Sequence, residues 1–457
     1  MSNDIRSIQM LIVNDKLFQC ARSTCLPFCN LITSDVRRCQ TNCLNRDECV
    51  AATFYQSNLQ CQLFNISINQ NTNMSFEMNA VTMITVFRTR YPYDQATISA
   101  TSSSTSSSTG ASPACTSLLL SQVTYTAGTR PQAVVVIDVN NDTQLDIVAA
   151  NRDSHSISVL FSAGNGTFLA QTTYSIDSYT FSLAVSDLNL DSVPDIVVAN
   201  TGSSTIGVLL NAGNGTFLPQ KTYAVDDSPY YVVISDLNSD SHSDVVVACS
   251  NPKRVNVLFN TGNGTFISNN NYSVGTNPSW LAISDIDGNN SSDIVVVNYN
   301  SNNIGVLRNV GNGTFLAQVT YATGTNPNSV AVSDINQDNK PDVIIAVFGT
   351  NNVGVRLNAG NGTFLSQTNY ATGSSPYSVT VADVNQDNLP DIMVANSGSS
   401  NIGVLLNAGN GTFFAQTTYA VGTSPYSISV GDVNNDHKAD LVVTNGGSNN
   451  VGVLLNC

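Results

Sequence analysis

The sequence has few charged residues and few of the side chains that enzymes use for acid–base chemistry. Only 11% of its 457 residues are charged while 42% are hydrophobic, which excludes disorder of the whole chain. Three histidines leave little material for histidine-based catalysis. No apolar run approaches the roughly 18 residues of a transmembrane helix. The 17 basic residues are outnumbered by 32 acidic ones, and a net charge of −15 argues against binding nucleic acid.

Cysteine is scarce along most of the chain but dense at its beginning. Zinc sites usually show paired Cys-x-x-Cys or His spacing, and this cluster has neither. We therefore interpret it as a small disulfide-stapled domain of an extracellular or secreted protein. No signal peptide is visible, so we expect a truncated gene model or a mature chain. Seven of the ten cysteines form the cluster, namely Cys20, Cys25, Cys29, Cys39, Cys43, Cys49 and Cys61.

A Ser/Thr tract divides the chain into two parts. Residues 98–113 read TISATSSSTSSSTGAS and contain almost no apolar side chain, so they cannot form a core. The sequence therefore predicts a cysteine-rich domain over 1–97, a flexible linker over 98–114 and a second domain over 115–457.

The second part repeats itself every 49 residues. An Asp-rich string related to DVNQD occurs seven times at this spacing, and residues 115–457 are seven periods long. Internal periods of this size are typical of solenoids, propellers or arrays. The string GNGTF begins at six positions, Gly164, Gly213, Gly262, Gly311, Gly360 and Gly409.

One period contains four short strand-like segments. Between residues 376 and 420, apolar or alternating stretches are separated by an Asp-rich loop and by the turn at Asn410-Gly411. No segment shows a 3.6-residue apolar period over ten residues, which excludes helical solenoids. A parallel β-helix would need shorter and more uniform coils. The sequence therefore predicts an all-β fold, a seven-bladed β-propeller of 49-residue repeats preceded by a small disulfide-rich domain.

The two ends of the repeat region predict how the ring closes. Residues 118–125 match the last strand of the other repeats, whereas residues 451–456 at the end of the chain match the third strand. The first segment can therefore complete the last blade and remove the exposed edges of an open array. Because Cys115 and Cys457 occupy consecutive places in the repeat frame, we expect a disulfide between them.

Each repeat carries the pattern Asp-x-Asn/Asp-x-Asp/Asn-x-x-x-Asp. Oxygen ligands at positions 1, 3, 5 and 9, with a backbone carbonyl at position 7, can surround Ca²⁺, which takes about six to eight oxygens, whereas Mg²⁺ demands a tighter octahedron. The loops hold 21 of the 32 acidic residues. Asx turns alone would not require all four oxygen positions in every copy, so we expect up to seven Ca²⁺ ions. The predicted ligands are Asp138, Asn140, Asp142, Asp146, Asp187, Asn189, Asp191, Asp195, Asp236, Asn238, Asp240, Asp244, Asp285, Asp287, Asn289, Asp293, Asp334, Asn336, Asp338, Asp342, Asp383, Asn385, Asp387, Asp391, Asp432, Asn434, Asp436 and Asp440.

These repeats resemble FG-GAP repeats, the blade units of integrin α-subunit propellers and many extracellular proteins. The family's calcium loop reads Asp-x-Asp/Asn-x-Asp/Asn-Gly-x-x-Asp, and the resemblance covers residues 115–457. Thr, Ser and His adopt the left-handed backbone of that Gly less readily than Asn, which puts calcium affinity in question at the loops of Asp138, Asp187, Asp236 and Asp432. Position 6 is Thr143, Ser192, Ser241, Asn290, Asn339, Asn388 and His437.

Residues 39–64 resemble the core of a PAN or apple domain. The matching features are Cys39-x-x-x-Cys43, Cys49, the aromatic pair Phe54-Tyr55, and Cys61-x-Leu63. The resemblance implies that Cys39 pairs with Cys61 and Cys43 with Cys49, and that the domain binds proteins or carbohydrates. The remaining cysteines of the cluster leave one thiol over, for which Cys249 is a candidate partner.

Six Asn-Gly-Thr sequons lie in the GNGTF strings and predict a glycoprotein if the chain is secreted. The alternative is structural, because Asn-Gly suits a type I′ turn and Thr suits the start of a strand. The sequon asparagines are Asn165, Asn214, Asn263, Asn312, Asn361 and Asn410.

The pattern favours an extracellular calcium-binding propeller for cell adhesion or for recognition of a protein or carbohydrate. Strand order places one variable repeat position on the face away from the Asp loops, where aromatic rings suit stacking on sugars or burial under a protein. Packing of these rings between blades is the alternative. The predicted ligand-face residues are Phe181, Tyr230, Trp280, Tyr377 and Tyr426.

Two other functions remain open at this point. One is a purely structural spacer. The other is a propeller hydrolase or lyase, which the sequence disfavours because it shows no Ser/His/Asp or Cys/His grouping. We therefore expect no enzymatic activity, no nucleic-acid partner and no membrane span.

Overall fold

The structure is a computed structural model that describes residues 117–457, apart from the side chains of residues 268 and 269, and the backbone of seven strands before them. The chain forms two compact units, Met1–Thr109 and Gly110–Cys457. The linker and the side chains of the predicted pairs Cys39–Cys61 and Cys43–Cys49 lie outside the described residues. In the first unit β1 pairs with β2, β6 with β7, and β3, β5 and β4 form one antiparallel sheet. These strands are β1 Met10–Val13, β2 Lys16–Gln19, β3 Cys29–Ile32, β4 Ala51–Tyr55, β5 Gln60–Phe64, β6 Ser75–Met78 and β7 Val81–Ile84.

The second unit is a propeller of seven four-stranded antiparallel blades, as the sequence predicted. A short ribbon, β12 Ser162–Gly164 with β13 Thr167–Phe168, and two 3₁₀ helices, η1 Tyr299–Ser301 and η2 Phe348–Thr350, complete it. The blade strands are, for blade 1, β9 Pro131–Ile137, β10 Asp146–Asn151, β11 Ser156–Leu160 and β14 Thr172–Ser175; blade 2, β15 Thr180–Ser186, β16 Asp195–Asn200, β17 Thr205–Leu209 and β18 Lys221–Ala224; blade 3, β19 Asp227–Ser235, β20 Asp244–Asn251, β21 Arg254–Asn260 and β22 Phe266–Ser273; blade 4, β23 Pro278–Ser284, β24 Asp293–Asn298, β25 Asn303–Leu307 and β26 Val319–Ala322; blade 5, β27 Pro327–Ser333, β28 Asp342–Val347, β29 Asn352–Arg356 and β30 Thr368–Ala371; blade 6, β31 Pro376–Ala382, β32 Asp391–Asn396, β33 Asn401–Leu405 and β34 Thr417–Ala420; and blade 7, β35 Pro425–Gly431, β36 Asp440–Asn445, β37 Asn450–Leu454 and β8 Val123–Thr126.

The strands of a blade differ in burial because blades pack on both of its faces. The second strand, such as β24, is rich in Ile and Val and is buried at all six positions from its Asp to its Asn. The fourth strand, such as β26, is the outer edge and is mostly exposed. Continuous apolar runs therefore mark the inner strands, and alternating polar residues mark the outer one.

The hydrophobic core is divided among the seven contacts between neighbouring blades. Each contact has its own cluster of buried Ile, Val, Leu and Ala side chains. At six of them a tyrosine of the fourth strand meets the phenylalanine of the next GNGTF turn edge to face, with ring centroids 5.2–5.5 Å apart. At the contact between blades 6 and 7, buried Leu119 takes the place of the phenylalanine.

Blade 7 closes the ring with strands from both ends of the repeat region. β8 pairs antiparallel with β37, with Tyr125 opposite Val451. The backbone N–H of Cys457 donates to the carbonyl of Leu118 at 2.9 Å. The prediction that the N-terminal segment completes the last blade is confirmed.

The GNGTF turn of blade 1 has positive φ at both Asn165 (53°) and Gly166 (70°), as a type I′ turn requires, whereas the turns of blades 2 to 6 differ from the predicted type I′ turn. In the turn of blade 6, Gly409 and Gly411 have φ of 94° and 73°, whereas Asn410 has no positive φ. Its side-chain oxygen instead accepts hydrogen bonds from the backbone and the hydroxyl of Thr412. In the turns of blades 2 to 6 the glycines supply the left-handed positions, so the asparagine is free to make an Asx-type contact. All six sequon asparagines are exposed.

Candidate functional site

Seven acidic loops lie on one face of the ring, each joining the first strand of a blade to its second. In blade 1, Asp138 occupies loop position 1 and Asp146, the first residue of β10, occupies position 9. The GNGTF turns join third to fourth strands and, because neighbouring strands are antiparallel, lie on the same face. We call this the acidic face, and we call the face formed by the other two kinds of connection the opposite face.

The carboxylate at position 1 organises each loop by accepting backbone hydrogen bonds. In blade 1, Asp138 accepts from the N–H groups of Asp142 and Thr143 at 3.2 and 2.7 Å. The same two bonds, to positions 5 and 6, occur in the other six blades. The loops therefore curl around this carboxylate in one shared conformation.

Position 6 has the left-handed backbone in all seven loops, although glycine occurs in none of them. The φ angles there lie between 61° and 70°. Asparagine adopts this conformation at low cost, whereas the β-branched Thr143, with φ of 70°, does so least easily. The departure from the family's glycine thus leaves the loop conformation unchanged and adds strain at Thr143.

The aspartate at position 9 is buried and ties two strands to the loop. Asp146 accepts the N–H of Val139 at 3.1 Å and that of Ser162 at 2.8 Å. Burial raises its pKa from 3.8 to about 6, and the two N–H bonds act against that rise. The pKa of the equivalent aspartate in each other blade is also raised to about 6. A nearby cation would lower these values by favouring the ionised form.

Blade 4 brings three carboxylates together. Asp285, Asp287 and Asp293 each place an oxygen within 4.8 Å of the others. Asp287 Oδ1 is buried and has no hydrogen-bond partner among the described residues. In the six other loops position 3 is an asparagine, and in five of them its Nδ2 donates to the aspartate at position 5 at 2.8–3.1 Å. In blade 4 the aspartate is at position 3 (Asp287) and the asparagine is at position 5 (Asn289). Position 3 of this loop therefore has no amide that could donate to a neighbouring carboxylate.

The donor set of these loops fits a hard cation. Positions 1, 3, 5 and 9 offer carboxylate and amide oxygens, which are the ligands that Ca²⁺ takes in proteins. The orphaned oxygen of Asp287 and the raised pKa of Asp293 are the features that a bound cation would relieve. The residues that could hold one in blade 4 are Asp285, Asp287, Asn289 and Asp293.

A β-bulge in every blade positions the variable residues of the opposite face. The pairing of first and second strands shifts register around this repeat position, for example between Pro229 and Tyr231 and between Pro376 and Ser378. Bulges re-aim a side chain relative to a regular strand. The seven bulge residues are Gln132, Phe181, Tyr230, Ser279, Asn328, Tyr377 and Tyr426.

Four bulge residues meet one another across blades, and one of these contacts joins two distant blades. The hydroxyls of Tyr230 in blade 3 and Tyr377 in blade 6 are 3.1 Å apart. Burial raises the pKa of both phenols, so both hydroxyls are neutral. Phe181 stacks on Tyr230 with ring centroids 4.3 Å apart, and the ring centroid of Tyr426 is 4.7 Å from that of Tyr377. Four of the five predicted ligand-face residues therefore form one aromatic group.

Trp280, the fifth predicted ligand-face residue, lies elsewhere. It follows the bulge, and its ring stacks on Tyr231 at 4.1 Å. It also packs against the core cluster shared by blades 4 and 5. For this side chain the structure shows packing between blades, the alternative that the sequence left open.

A small cavity lies beside the aromatic group on the opposite face. Its volume is about 160 Å³, and it combines aromatic rings with amide and hydroxyl groups. Two of the rings come from the 3₁₀ helices η1 and η2, in the connections between second and third strands. The lining residues are Tyr230, Asn277, Ser279, Tyr299, Asn328, Phe348 and Tyr377.

The three histidines lie on different blades. His242 and His437 are in acidic loops, where each Nδ1 is 3.4 Å and 3.8 Å from Asp240 and Asp432, respectively. The ring of His155 meets Tyr179 edge to face at 4.7 Å. The structure does not bring any two of the histidines into one group.

An inter-blade asparagine is the functional feature that our interpretation of the sequence missed. Asn309 is 1% exposed, and its Nδ2 donates to the carbonyls of Leu237 in blade 3 and Ser292 in blade 4. Its Oδ1 accepts the N–H groups of Gly311 and Gly313. In blades 2 to 6 this asparagine clamp joins the acidic loop of the preceding blade to the GNGTF turn of its own blade. In blade 7, which lacks that turn, Asn456 donates to the acidic loop of blade 6. The residues that make the clamp are Asn211, Asn260, Asn309, Asn358, Asn407 and Asn456.

The cysteines of the propeller have two different states. Cys457 is disulfide-bonded, and its partner lies outside the described residues, so the bond to Cys115 stays a prediction. Cys249 is a free thiol, fully buried in the core cluster between blades 2 and 3. Burial raises the pKa of this thiol. Cys249 is therefore not the partner of a leftover N-terminal cysteine.

Solved structures with similar folds are distant in sequence. BBS1N in complex with ARL6DN has a TM-score of 0.54 and 14% identity, covering 75% of this chain and 98% of that one. Virginiamycin B lyase from Staphylococcus aureus gives 0.52 and 14%, covering 74% and 99%. Hydrazine synthase of Kuenenia stuttgartiensis gives 0.53 and 15%, covering 73% and 97%. These likenesses show the fold alone, and no curated protein matches the chain.

Family models match both parts of the chain. A PAN domain model matches residues 30–87. The model of the FG-GAP-like repeat matches residues 138–198, 187–247, 236–296, 285–345, 334–394 and 383–443. Within the described residues, none of the helices has the length and hydropathy needed to span a membrane. The chain therefore belongs to the FG-GAP-like repeat family, with a PAN domain in its N-terminal part.

Proposed function

We propose that this protein is an extracellular, calcium-stabilised propeller that recognises a protein or carbohydrate ligand without catalysing a reaction. One observation carries the proposal: Asp285, Asp287 and Asp293 converge within 4.8 Å, and one buried oxygen of Asp287 has no partner among the described residues. Three carboxylates so placed repel one another unless a cation joins them.

Calcium in these loops would have a structural role. Each ion would offset two of the three negative charges of its loop and join the end of the first strand to the start of the second. Seven such ions carry a charge of +14, which almost cancels the formal charge of −15. Because the ion binds only the folded loops, it shifts the equilibrium toward the folded chain.

Recognition would use the opposite face. Its bulge residues differ from blade to blade, whereas the acidic loops are close copies, and a constant framework with variable loops is how a scaffold carries a site. BBS1N, a propeller of similar fold, was solved in complex with ARL6DN. This supports the architecture as a platform for a partner. PAN and FG-GAP domains together favour an extracellular location.

A lyase is the alternative that the fold raises, since virginiamycin B lyase shares the propeller. Catalysis would need acid–base groups converging on a substrate site. The opposite-face cavity is lined by phenol, amide and hydroxyl groups, and the three histidines lie on separate blades. These observations support recognition over catalysis.

The proposal is tested by exposing the full chain, in millimolar calcium, to immobilised glycans and extracellular-matrix proteins. We expect retention on at least one ligand, and loss of retention when a chelator is added. Failure to retain any ligand in calcium would contradict recognition and favour a spacer. Release of a modified product from a bound ligand would favour an enzyme.

A further inference from the structure

The cavity on the opposite face has features of a built site that the calcium loops do not explain. It is formed by side chains of four consecutive blades, 3 to 6, and lies away from the acidic loops. Its volume of about 160 Å³ is below the roughly 300–1,000 Å³ typical of pockets for drug-sized ligands. The cavity therefore has room for one small ring rather than for an extended chain.

Aromatic rings form the walls of this cavity. Tyr299 in η1 and Phe348 in η2 are half-buried, and their ring centroids lie 6.4 Å apart at an angle of 51°. Tyr377 and Tyr230 also line the cavity, and their hydroxyls are 3.1 Å apart. An aromatic face carries partial negative charge and attracts polarised C–H groups. These walls suit a ligand with C–H bonds on its flat side.

Polar groups of the lining residues remain available for a ligand. Asn277 Oδ1 accepts from Ser250 at 3.0 Å, and the Nδ2 of Asn277 has no partner among the described residues. Asn328 Nδ2 donates to the carbonyl of Tyr377 at 2.6 Å, which fixes its amide and leaves Oδ1 without a partner in the described part of the chain. The cavity thus offers one free donor and one free acceptor on oriented side chains.

We infer that this cavity binds one neutral sugar residue, such as the end of a glycan chain. A pyranose ring presents C–H groups on its faces and hydroxyls at its edge, which match the aromatic walls and the two amides. Among the described residues, no ionisable side chain other than the tyrosines lines the cavity, so a charged sugar would lose hydration without gaining a counter-charge. The inference deepens the proposed recognition function and rests on it.

The test is calorimetric titration of the full chain, in millimolar calcium, with free glucose, galactose, mannose, fucose and N-acetylglucosamine. Glucuronic acid and N-acetylneuraminic acid are the charged probes. We expect saturable binding of at least one neutral sugar and at least tenfold weaker binding of both acids. Binding of the acids as tight as that of the best neutral sugar would overturn the assignment.

Variants then locate the site. Tyr299→Ala and Phe348→Ala should each weaken sugar binding at least tenfold. Asn277→Gly should do the same while keeping the backbone, since Asn277 has a left-handed φ of 57° that glycine adopts freely. Tyr179→Ala is the matched control, because this ring is 47% exposed and does not line the cavity. Each variant must keep the melting temperature of the parent chain.

Two results would overturn the assignment of the cavity. One is absence of binding by every neutral sugar. The other is a sugar whose binding survives Tyr299→Ala, Phe348→Ala and Asn277→Gly. Retention of a glycan or protein in the wider screen would in that case leave the proposed recognition function standing, with its site elsewhere.

Discussion

At the scale of single residues, the aspartates of a loop have separate tasks. Asp293 is buried and accepts two backbone N–H groups, so it is part of the fold whether or not a cation is present. Asp285 holds the loop backbone. Asp287 has no such structural contact, because its buried Oδ1 has no partner within the described residues. Because Asp287 contributes least to the fold, its substitution is the most direct test for a bound cation.

Substitution of this residue should have opposite effects with and without calcium. Asp287→Asn removes one of three converging carboxylates and supplies the amide that the six other loops have at position 3. In chelator it should raise stability by about 1 kcal/mol, the cost of an unsatisfied buried group. In calcium it should lower stability, because a charged ligand is lost. Thermal melts of both forms measure the change, with exposed Asp177→Asn as the neutral control. Shifts of the same sign under both conditions would be inconsistent with a cation at this loop.

Strain at position 6 gives a second prediction at this scale. A left-handed backbone costs a non-glycine residue roughly 1–2 kcal/mol, most of all a β-branched one. Glycine removes this strain, but it loses more conformational entropy on folding, which costs about 0.5–1 kcal/mol. Thr143→Gly should therefore raise the free energy of unfolding by up to about 1 kcal/mol. Asn339→Gly, at the same position with φ of 61°, should change it little. An equal gain in both variants would show that Thr143 is not strained.

At the scale of elements, the connection between blades is more than apolar packing. The clamp asparagine contacts the acidic loop of the preceding blade at six blade contacts. In blades 2 to 6 it also holds the GNGTF turn of its own blade. At the contact between blades 7 and 1, Ser162 stands in the asparagine's place in the repeat frame. The loops that would hold calcium are therefore coupled to the packing of blades.

Loss of one clamp should lower the free energy of unfolding, because buried carbonyl groups lose their hydrogen-bond donor. Asn309→Ala leaves the carbonyls of Leu237 and Ser292 without their donor and should destabilise the chain by about 1–3 kcal/mol. Asn312→Ala is the control, since this sequon asparagine is exposed in the same turn. Ser162→Asn would supply the seventh clamp and should stabilise by about 1 kcal/mol. Chemical denaturation measures all three, and equal costs for Asn309→Ala and Asn312→Ala would exclude the clamp.

Much of the element structure could be predicted because the repeat shows each strand seven times. The clamp asparagine occurs in six of the seven periods of the sequence. Its partner carbonyl lies 72 residues earlier, and only the packing of blades shows that contact. The same limit applies to the opposite face. The variable position was evident from the repeat, whereas the meeting of Tyr230 with Tyr377, and the packing of Trp280 on Tyr231, depend on a bulge and on the curvature of the ring.

At the scale of the whole molecule, a propeller is stable only if its ring is closed. Seven inter-blade clusters form an unbroken circle, and the join lies inside blade 7, between β8 and β37. A join within a blade uses main-chain hydrogen bonds as well as side-chain packing. The 49-residue frame predicted this because residues 118–125 fit the fourth strand and no other.

The disulfide that we expect at this join is a separate prediction. Cys457 is disulfide-bonded, and its N–H contacts Leu118, three residues from Cys115. A bond closing about 340 residues would stabilise by several kcal/mol in the chain-entropy model. Non-reducing peptide mapping should recover Cys115 and Cys457 in one linked peptide. Buried Cys249 should react with thiol reagents only after unfolding. Recovery of Cys457 with any other cysteine would refute the closure.

The most direct test of this account is the number of calcium ions that the full chain binds. Equilibrium dialysis against millimolar calcium, with the metal counted by atomic emission, should give close to seven ions per chain. A parallel sample of Asp287→Asn should give about one fewer, which separates loop sites from diffuse attraction to an acidic surface. A chain that binds less than one ion, or a variant that binds as many as its parent, would contradict the claim that the seven loops are calcium sites.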